Sequence, residues 1–395
     1  MTAAAAVRAL GVSRPTLYAY VSRGFLRSAP KAGTTRERLY SRDDVERLRR
    51  RAEERRDPKS VAAHALDRGT PLLESSITLI DGGHLYYRGH DAVEVSRTRS
   101  IAEVASLLWT RTFDTIRNEQ LAAPAGRFTS AGDLPFLAHA QSTLAIAATR
   151  DPLAFDLRAE AVAASGGRIL GLMTRAATSR RADGETIDEQ LAAAWQVKRQ
   201  GVDILRAALI LCADHELNVS AFTARCVASA GATPYAAVIA GISALEGIRH
   251  GGLTVRVESM LERMRGAKSG PAALADWLRQ GLEISGFGHP LYHGGDPRAI
   301  ELFDLLRSRY TKSPELRFAL DVADSATRML NQQPSLDFAL ATVARVLGLP
   351  QGAGLTIFAI GRTIGWVGHA IEQYATGQLI RPRARYVGAS PQAAQ

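Results

Sequence analysis

Along most of the chain, apolar residues recur every three or four positions. Ile101, Val104, Ala105 and Leu108 form one stripe, and Leu205, Ala208, Leu209 and Cys212 another; residues 319–323 and 338–343 continue the pattern. That period places apolar side chains on one face of an α-helix, so it predicts helices packed through those faces. One short region breaks the period. Residues 75–80 are rich in β-formers, Asp81-Gly-Gly is a turn signal, and Leu85-Tyr-Tyr87 returns, which predicts a hairpin. The body is therefore expected to be mostly α.

The start of the chain has its own punctuation. Thr2 is placed to cap a helix over residues 3–10 that Gly11 ends. Ser13 caps a second helix, with Pro15 in its first turn, where a missing N–H is tolerated. On that helix Leu17, Tyr20 and Val21 face inward, while Arg14 and Tyr18 share another side. Residues 36–40 follow as a short wing. Ser41-Arg-Asp-Asp44 then opens a third helix over 45–56, which Asp57-Pro-Lys59 breaks. The expected division is a domain over 1–57 and another over 58–395.

Charge supports that division. Of 49 basic and 39 acidic residues, residues 1–56 hold 14 and 6, which leaves 35 and 33 for the remainder. A leader of charge +8 on a near-neutral body points to a nucleic-acid-facing module attached to something else. The arginines of residues 47–56 also read as a solvated helix face, with Arg49 and Arg50 each four residues before a glutamate. At 395 residues, two or three cores are expected. Apolar runs are interrupted well short of the roughly 18 residues a membrane span needs. No signal peptide is read at the start, and Cys212 and Cys226 offer neither a disulfide framework nor zinc spacing. The expected location is the cytoplasm, with no membrane partner and no metal.

The candidate chemistry lies late in the chain. Gly247-Ile-Arg-His250-Gly-Gly and Gly286-Phe-Gly-His289-Pro-Leu-Tyr each set an imidazole among glycines, where backbone can approach a ligand closely. Asp296-Pro-Arg298, Asp337, Gly361-Arg-Thr-Ile-Gly-Trp366 and Arg381-Pro-Arg383 follow. Two histidines, a carboxylate and several arginines suit proton transfer on a multiply anionic small molecule. Asp337 also reads as an N-cap for a helix starting at Phe338. His64, His84, His90, His139, His293 and His369 are read as structural or surface positions, and Trp366 and Glu372 as packing and helix-surface residues.

Two resemblances carry these readings further. Leu10-Gly-Val-Ser-Arg-Pro-Thr-Leu-Tyr18 and Tyr40-Ser-Arg-Asp-Asp-Val45 resemble the MerR-type winged helix-turn-helix. That resemblance implies double-stranded DNA as a partner. Arg14, Thr16, Tyr18 and Arg23 would approach the groove or phosphates, with Arg36 and Arg38 as wing contacts. The body resembles the citrate synthase family through Ser76-Ile-Thr-Leu-Ile-Asp-Gly82, Tyr87-Arg-Gly89, His215-Glu-Leu-Asn-Val-Ser220 and the late motifs above, in family order from about 70 to 387.

The second resemblance implies a two-lobed all-α domain, its small lobe roughly 250–340, working as a homodimer with a shared active site. It implies an acyltransferase that condenses acetyl-CoA with oxaloacetate and water to give citrate and CoA, with the acyl-CoA as co-substrate and no cofactor. Asp337 would be the base, His250 the partner of the thioester oxygen, and His289 the acid at the keto oxygen. His215, Arg298, Arg362 and Arg381 would bind oxaloacetate, with Arg381 reaching the neighbouring subunit's site. Three departures from the family bear on the acyl-CoA. Its usual Ala-Asn after the glycine pair is Leu253-Thr254 here, and Arg-Val-Tyr-Lys after the second histidine is Pro290-Leu-Tyr-His293. The aromatic, serine and glycine after the aspartate are Ala339-Leu-Ala341. Propionyl-CoA, giving 2-methylcitrate, is thus an alternative substrate. A transcriptional regulator that keeps the pocket as a metabolite sensor without catalysis is an alternative of another class.

Overall fold

The computed structural model describes residues 1–22, 25–30, 38–42, 44, 45, 48, 73–114, 134–178, 185–292, 294–384 and 386–389. The chain divides into two compact units, Met1–Glu74 and Ser75–Gln395. The boundary expected at residue 57 falls outside the described residues.

In the first unit, α1 (Ala3–Leu10) starts where Thr2 accepts a hydrogen bond from the Ala5 N–H at 3.3 Å, and ends at Gly11 with φ 62°. Helix α2 (Arg14–Ser22) starts at Ser13, whose hydroxyl accepts from the Thr16 N–H. Leu17 is buried with Ala6, Leu10, Leu26, Tyr40 and Val45, and Tyr20 and Val21 pack against them. The wing differs from expectation. Strand β1 (Ser28–Pro30) pairs antiparallel with β2 (Arg38–Tyr40), so the wing begins well before residue 36. Ser-Ala-Pro has little β propensity. Its position is fixed from outside instead, by the buried Asp44 carboxylate accepting from the Arg27 N–H and Nε, both at 2.9 Å. Of the third helix, Arg42, Asp44, Val45 and Leu48 are described as helical; most of the remainder lies outside the described residues.

The second unit opens with the expected hairpin, β3 (Thr78–Asp81) against β4 (His84–Tyr87), turned by Gly82 and Gly83 at φ 57° and 84°. A two-residue strand, β5 (His90–Asp91), adds to β4. Thereafter the described structure is helical: α3 (Ala92–Thr98), α4 (Ile101–Thr110), α5 (Phe136–Ala148), α6 (Ala159–Thr178), α7 (Ile187–Ala194), α8 (Arg199–Leu211), α9 (Val219–Ser229), α10 (Pro234–Leu245), α11 (Gly252–Arg263), α12 (Gly270–Arg279), α13 (Pro297–Arg309), α14 (Pro314–Leu330), α15 (Leu336–Leu347) and α16 (Ala353–Thr376). Among the described residues no helix is long and apolar enough to cross a membrane.

Helix α16 is the axis of this unit. It is buried along most of its 24 residues and packs against α4, α6, α8, α9, α10, α11 and α15. Two glycines make that closeness geometrically feasible. A Cβ at Gly361 would lie 2.3 Å from the Leu209 carbonyl oxygen, and one at Gly365 2.3 Å from that of Ala213. Trp366 fills the core, as expected. Glu372 does not lie on the helix surface: it accepts from the Ser76 N–H at 2.9 Å and lies near Arg88 and Arg225, which fastens the hairpin to α16. Gly361→Ala is expected to cost about 2–3 kcal/mol, because the carbonyl it meets belongs to rigid backbone. Urea denaturation would check it; a loss under about 0.5 kcal/mol would mean that α8 and α16 can separate freely.

Candidate active site

The site is built where four loops meet the ends of helices. After α8 the chain turns through Cys212–Asn218, with Glu216 at φ 51°, before Asn218 caps α9 through the Ser220 and Ala221 N–H groups. This turn buries His215, whose Nε2 lies 3.0 Å from the Tyr292 hydroxyl and whose ring stands edge-on to His289 at 5.1 Å. Burial, then the charges of Arg298 and Arg362, hold the His215 imidazole well below its ordinary pKa, so it is neutral.

His289 sits on a loop whose glycines are required by contact as well as by dihedral. Gly286 and Gly288 have φ 88° and 76°, and a Cβ on either would come within 3 Å of Val257 or Gln332. The Gly288 N–H donates to Gln333 O and the Ser335 N–H to Gly286 O, both at 2.8 Å. The histidine loop is thereby laced to the segment that delivers Asp337. Nδ1 of His289 accepts from the Leu291 N–H at 3.2 Å, so the ring proton available for transfer is the one on Nε2.

Asp337 lies in the first turn of α15. It is not the N-cap, which is Ser335. Burial pushes its carboxyl up to about 6, against the opposing effect of the hydrogen bond that Oδ1 accepts from the Thr254 hydroxyl. His250 precedes α11; its Nε2 is 2.8 Å from the Ser220 hydroxyl, and its ring stands edge-on to Phe358. Burial, then the charge of Arg362, lowers its pKa to about 4.

The two arginines differ in kind. Arg298, at the start of α13, forks onto Asp296 with Nε–Oδ1 2.9 Å and Nη2–Oδ2 2.7 Å, and Asp296 Oδ2 also accepts from the Leu336 N–H. Burial alone would raise the Asp296 pKa, but Arg298 holds it below the usual range. Arg362, mid-way along α16, has its Cζ 4.9 Å over the Phe358 ring and donates through Nε to Cys212 O at 2.7 Å. It is 1% exposed, and its Nη1 and Nη2 have no hydrogen-bond partner among the described residues. Burial lowers its pKa, only partly offset by Asp214.

His215, His289, Arg298, Arg362, His250 and Asp337 are thus tied together by contact or by mutual electrostatic influence. Arg381 is not: it is exposed, in the extended segment after α16, and makes none of these contacts. In the first unit, Arg14 is exposed at the start of α2 and Tyr18 is 54% exposed, whereas Thr16 is half-buried with its hydroxyl 2.9 Å from that of Ser13, and Arg38 is engaged with Ser28 within the wing. Arg23 and Arg36 lie outside the described residues, as do His64 and His293. Among the described residues no three His, Cys, Asp or Glu side chains gather as metal ligands. Sequence reasoning missed Tyr292, Ser220, Asp296 and Thr254 as site members, although each stood inside or beside a motif it singled out. His369, read as a structural or surface position, is buried and lies 3.1 Å from Asp214, whose charge also acts on Arg362.

A family model described as "Citrate synthase, C-terminal domain" matches residues 65–383, and one described as "MerR HTH family regulatory protein" matches residues 1–53. The chain is 36% identical over 194 residues to "Citrate synthase 2" of Bacillus subtilis, an alignment spanning 48% of this chain and about half, 52%, of that relative. It is 28% identical over 347 residues to "2-methylcitrate synthase 1" of Corynebacterium glutamicum, covering 78% of this chain and 90% of that one. A citrate synthase from Thermoplasma acidophilum, solved with carboxymethyl coenzyme A and oxaloacetate, superposes with a TM-score of 0.73 at 22% identity over 82% of this chain and 96% of its own, which shows a shared fold.

Proposed function

The chain belongs to the citrate synthase family, and from that premise we propose that it condenses acetyl-CoA with oxaloacetate and water to give citrate and CoA. The observation that carries this reading is Arg362: a buried guanidinium with two donors that no described protein group uses. A guanidinium fork of this kind matches a carboxylate, and oxaloacetate has two. Arg298, forked onto Asp296, would add positive charge for the second carboxylate, and neutral His215 lies against His289.

The steps balance without a redox or metal cofactor. Asp337 takes a proton from the methyl carbon of the thioester, and neutral His250 donates to the thioester oxygen as enolate charge develops. The enol carbon forms a bond to the keto carbon of oxaloacetate, and the keto oxygen receives the Nε2 proton of His289. Water then cleaves the citryl thioester: it returns a proton to Nε2 of His289 as its oxygen bonds the acyl carbon, and CoA leaves as the thiol with the proton that Asp337 took from the methyl carbon. Arg381 would complete the carboxylate site only across a homodimer, in which each chain supplies it to the other's pocket.

Two further readings have specific support. The likeness to a 2-methylcitrate synthase, together with Ala339-Leu-Ala341 after the base, favours propionyl-CoA. The MerR match over residues 1–53, with Arg14 and Tyr18 exposed on α2, favours a DNA-binding regulator whose pocket senses oxaloacetate or a CoA ester. One experiment separates the three. Free-thiol release is followed with oxaloacetate and either acetyl-CoA or propionyl-CoA, and the ratio of kcat/KM values names the substrate. Oxaloacetate-dependent release is expected. Its absence with both esters, in protein that still binds oxaloacetate, would leave the sensor.

A further inference from the structure

Threonines in the helices of this chain follow a common habit. Thr174, Thr223, Thr342, Thr356 and Thr363 each donate the hydroxyl hydrogen to the carbonyl four residues back in their own helix. Thr254 does not. It is fully buried in the first turn of α11, and its hydroxyl crosses to Oδ1 of Asp337 on α15.

Its rotamer is held from the other side. The Thr254 methyl lies 2.9 Å from where a side chain at Gly354 would begin, and Glu258, one turn further along α11, accepts from the Gly352 and Gly354 N–H groups at 2.9 and 3.0 Å. Helix α11 is thus clamped to the start of α16, with the methyl against Gly354 and the hydroxyl toward the carboxylate. His250 stands four residues before Thr254, so one short segment carries both the imidazole and this hydroxyl.

We propose that Thr254 is a positioning residue for the condensation: its hydroxyl fixes the Asp337 carboxylate through Oδ1 and leaves Oδ2 to take the substrate's proton. This rests on the synthase reading. It also gives a role to a position where the sequence departs from the family, since Leu253-Thr254 stands in place of Ala-Asn. A donor to the ionised carboxylate favours the basic form, so the contact also sets the pH at which the base becomes available. The other charged groups around the carboxyl are Arg298 and Asp296 at the start of α13, with the Cys212 thiol at the end of α8. From α16 comes Arg362, bonded to Cys212 O, and Glu258 of α11 is turned to the glycine N–H groups. Helix α14 turns Asp324 and Arg328 into a cleft lined also by Phe303 and Pro334.

The test is Thr254→Val against Thr254→Ser, with Thr254→Ala in place of valine should that variant not fold. Two readouts are taken on the full chain: the pH profile of CoA release, and the titration of the Asp337 carboxyl by 13C NMR of aspartate-labelled protein, assigned with Asp337→Asn. Loss of the hydroxyl is expected to move the acidic limb and the carboxyl titration up by roughly one pH unit, and to lower kcat about tenfold. Serine should restore both. An unmoved titration in the valine or alanine variant, or a serine variant that behaves like them, would overturn the proposal. Wild-type protein that releases no CoA would instead overturn the synthase reading, and the carboxyl titration would still decide the Thr254 contact.

Discussion

Asp337→Asn is expected to reduce kcat for oxaloacetate-dependent CoA release by about 10³–10⁴, while oxaloacetate affinity changes less than threefold. Asparagine keeps the shape at the start of α15 and can still receive the Thr254 hydroxyl, but it has no basic oxygen. The loss should therefore fall on kcat with KM for oxaloacetate nearly constant. In the wild type, the carboxyl sits at about 6 because burial disfavours its charge. The base is available only when ionised, so kcat/KM should rise with pH through about 6 and then level. The same shift has a stability consequence of definite sign. A carboxyl whose folded pKa lies above its unfolded value holds its proton more tightly in the native state. Its contribution to stability is full below the unfolded pKa and is lost as pH rises through about 6. At pH 7.5 the ionised Asp337 thus weighs against the fold, and the asparagine variant should be more stable by roughly 2 kcal/mol. A variant that keeps more than a tenth of wild-type turnover would show that another group takes the proton.

How much of this was legible follows from the range over which each interaction acts. The caps of α1 and α2 and the hairpin turn at Gly82-Gly83 are local chemistry: a hydroxyl reaching an N–H three residues on, or a positive φ that glycine adopts freely. These stood where the sequence placed them. The glycine-flanked histidines were legible for the same reason, because Gly286 and Gly288 need both an unusual backbone and a close neighbour. What escaped is what other parts of the chain decide. Strand β1 forms from Ser-Ala-Pro because Asp44, seventeen residues from Arg27, holds its approach. Glu372 looks like a surface carboxylate until Ser76, nearly three hundred residues earlier, folds onto it. Tyr292 and Thr254 became site members only once His215 and Asp337 were brought beside them.

Arg362→Met is expected to weaken oxaloacetate binding by about 10²–10⁴ without lowering the melting temperature. The first half follows from two charge-assisted hydrogen bonds at about 1.5–3 kcal/mol each, with tenfold in affinity for every 1.4 kcal/mol. The second half follows from the burial of the group. Arg362 is 1% exposed and carries a charge whose Nη1 and Nη2 meet no described partner, with Phe358 against its plane and Asp214 as an opposing charge. Taking such a charge out of water costs several kcal/mol, and methionine, of similar length, removes that cost. The variant loses one bond, from Nε to Cys212 O, whose stranded carbonyl costs about 1–3 kcal/mol. The two effects oppose each other, and the desolvation term is the larger. Isothermal calorimetry with oxaloacetate and thermal unfolding in its absence would measure both. Unchanged affinity would remove Arg362 from the carboxylate site. A melting temperature several degrees below wild type would mean that the guanidinium serves the core of α16 rather than a ligand. Together with the expected stabilisation of Asp337→Asn, the intended result has one physical cause. Burial disfavours the ionised Asp337 and the Arg362 cation alike: a substrate carboxylate would pair with Arg362, and a substrate proton would neutralise Asp337.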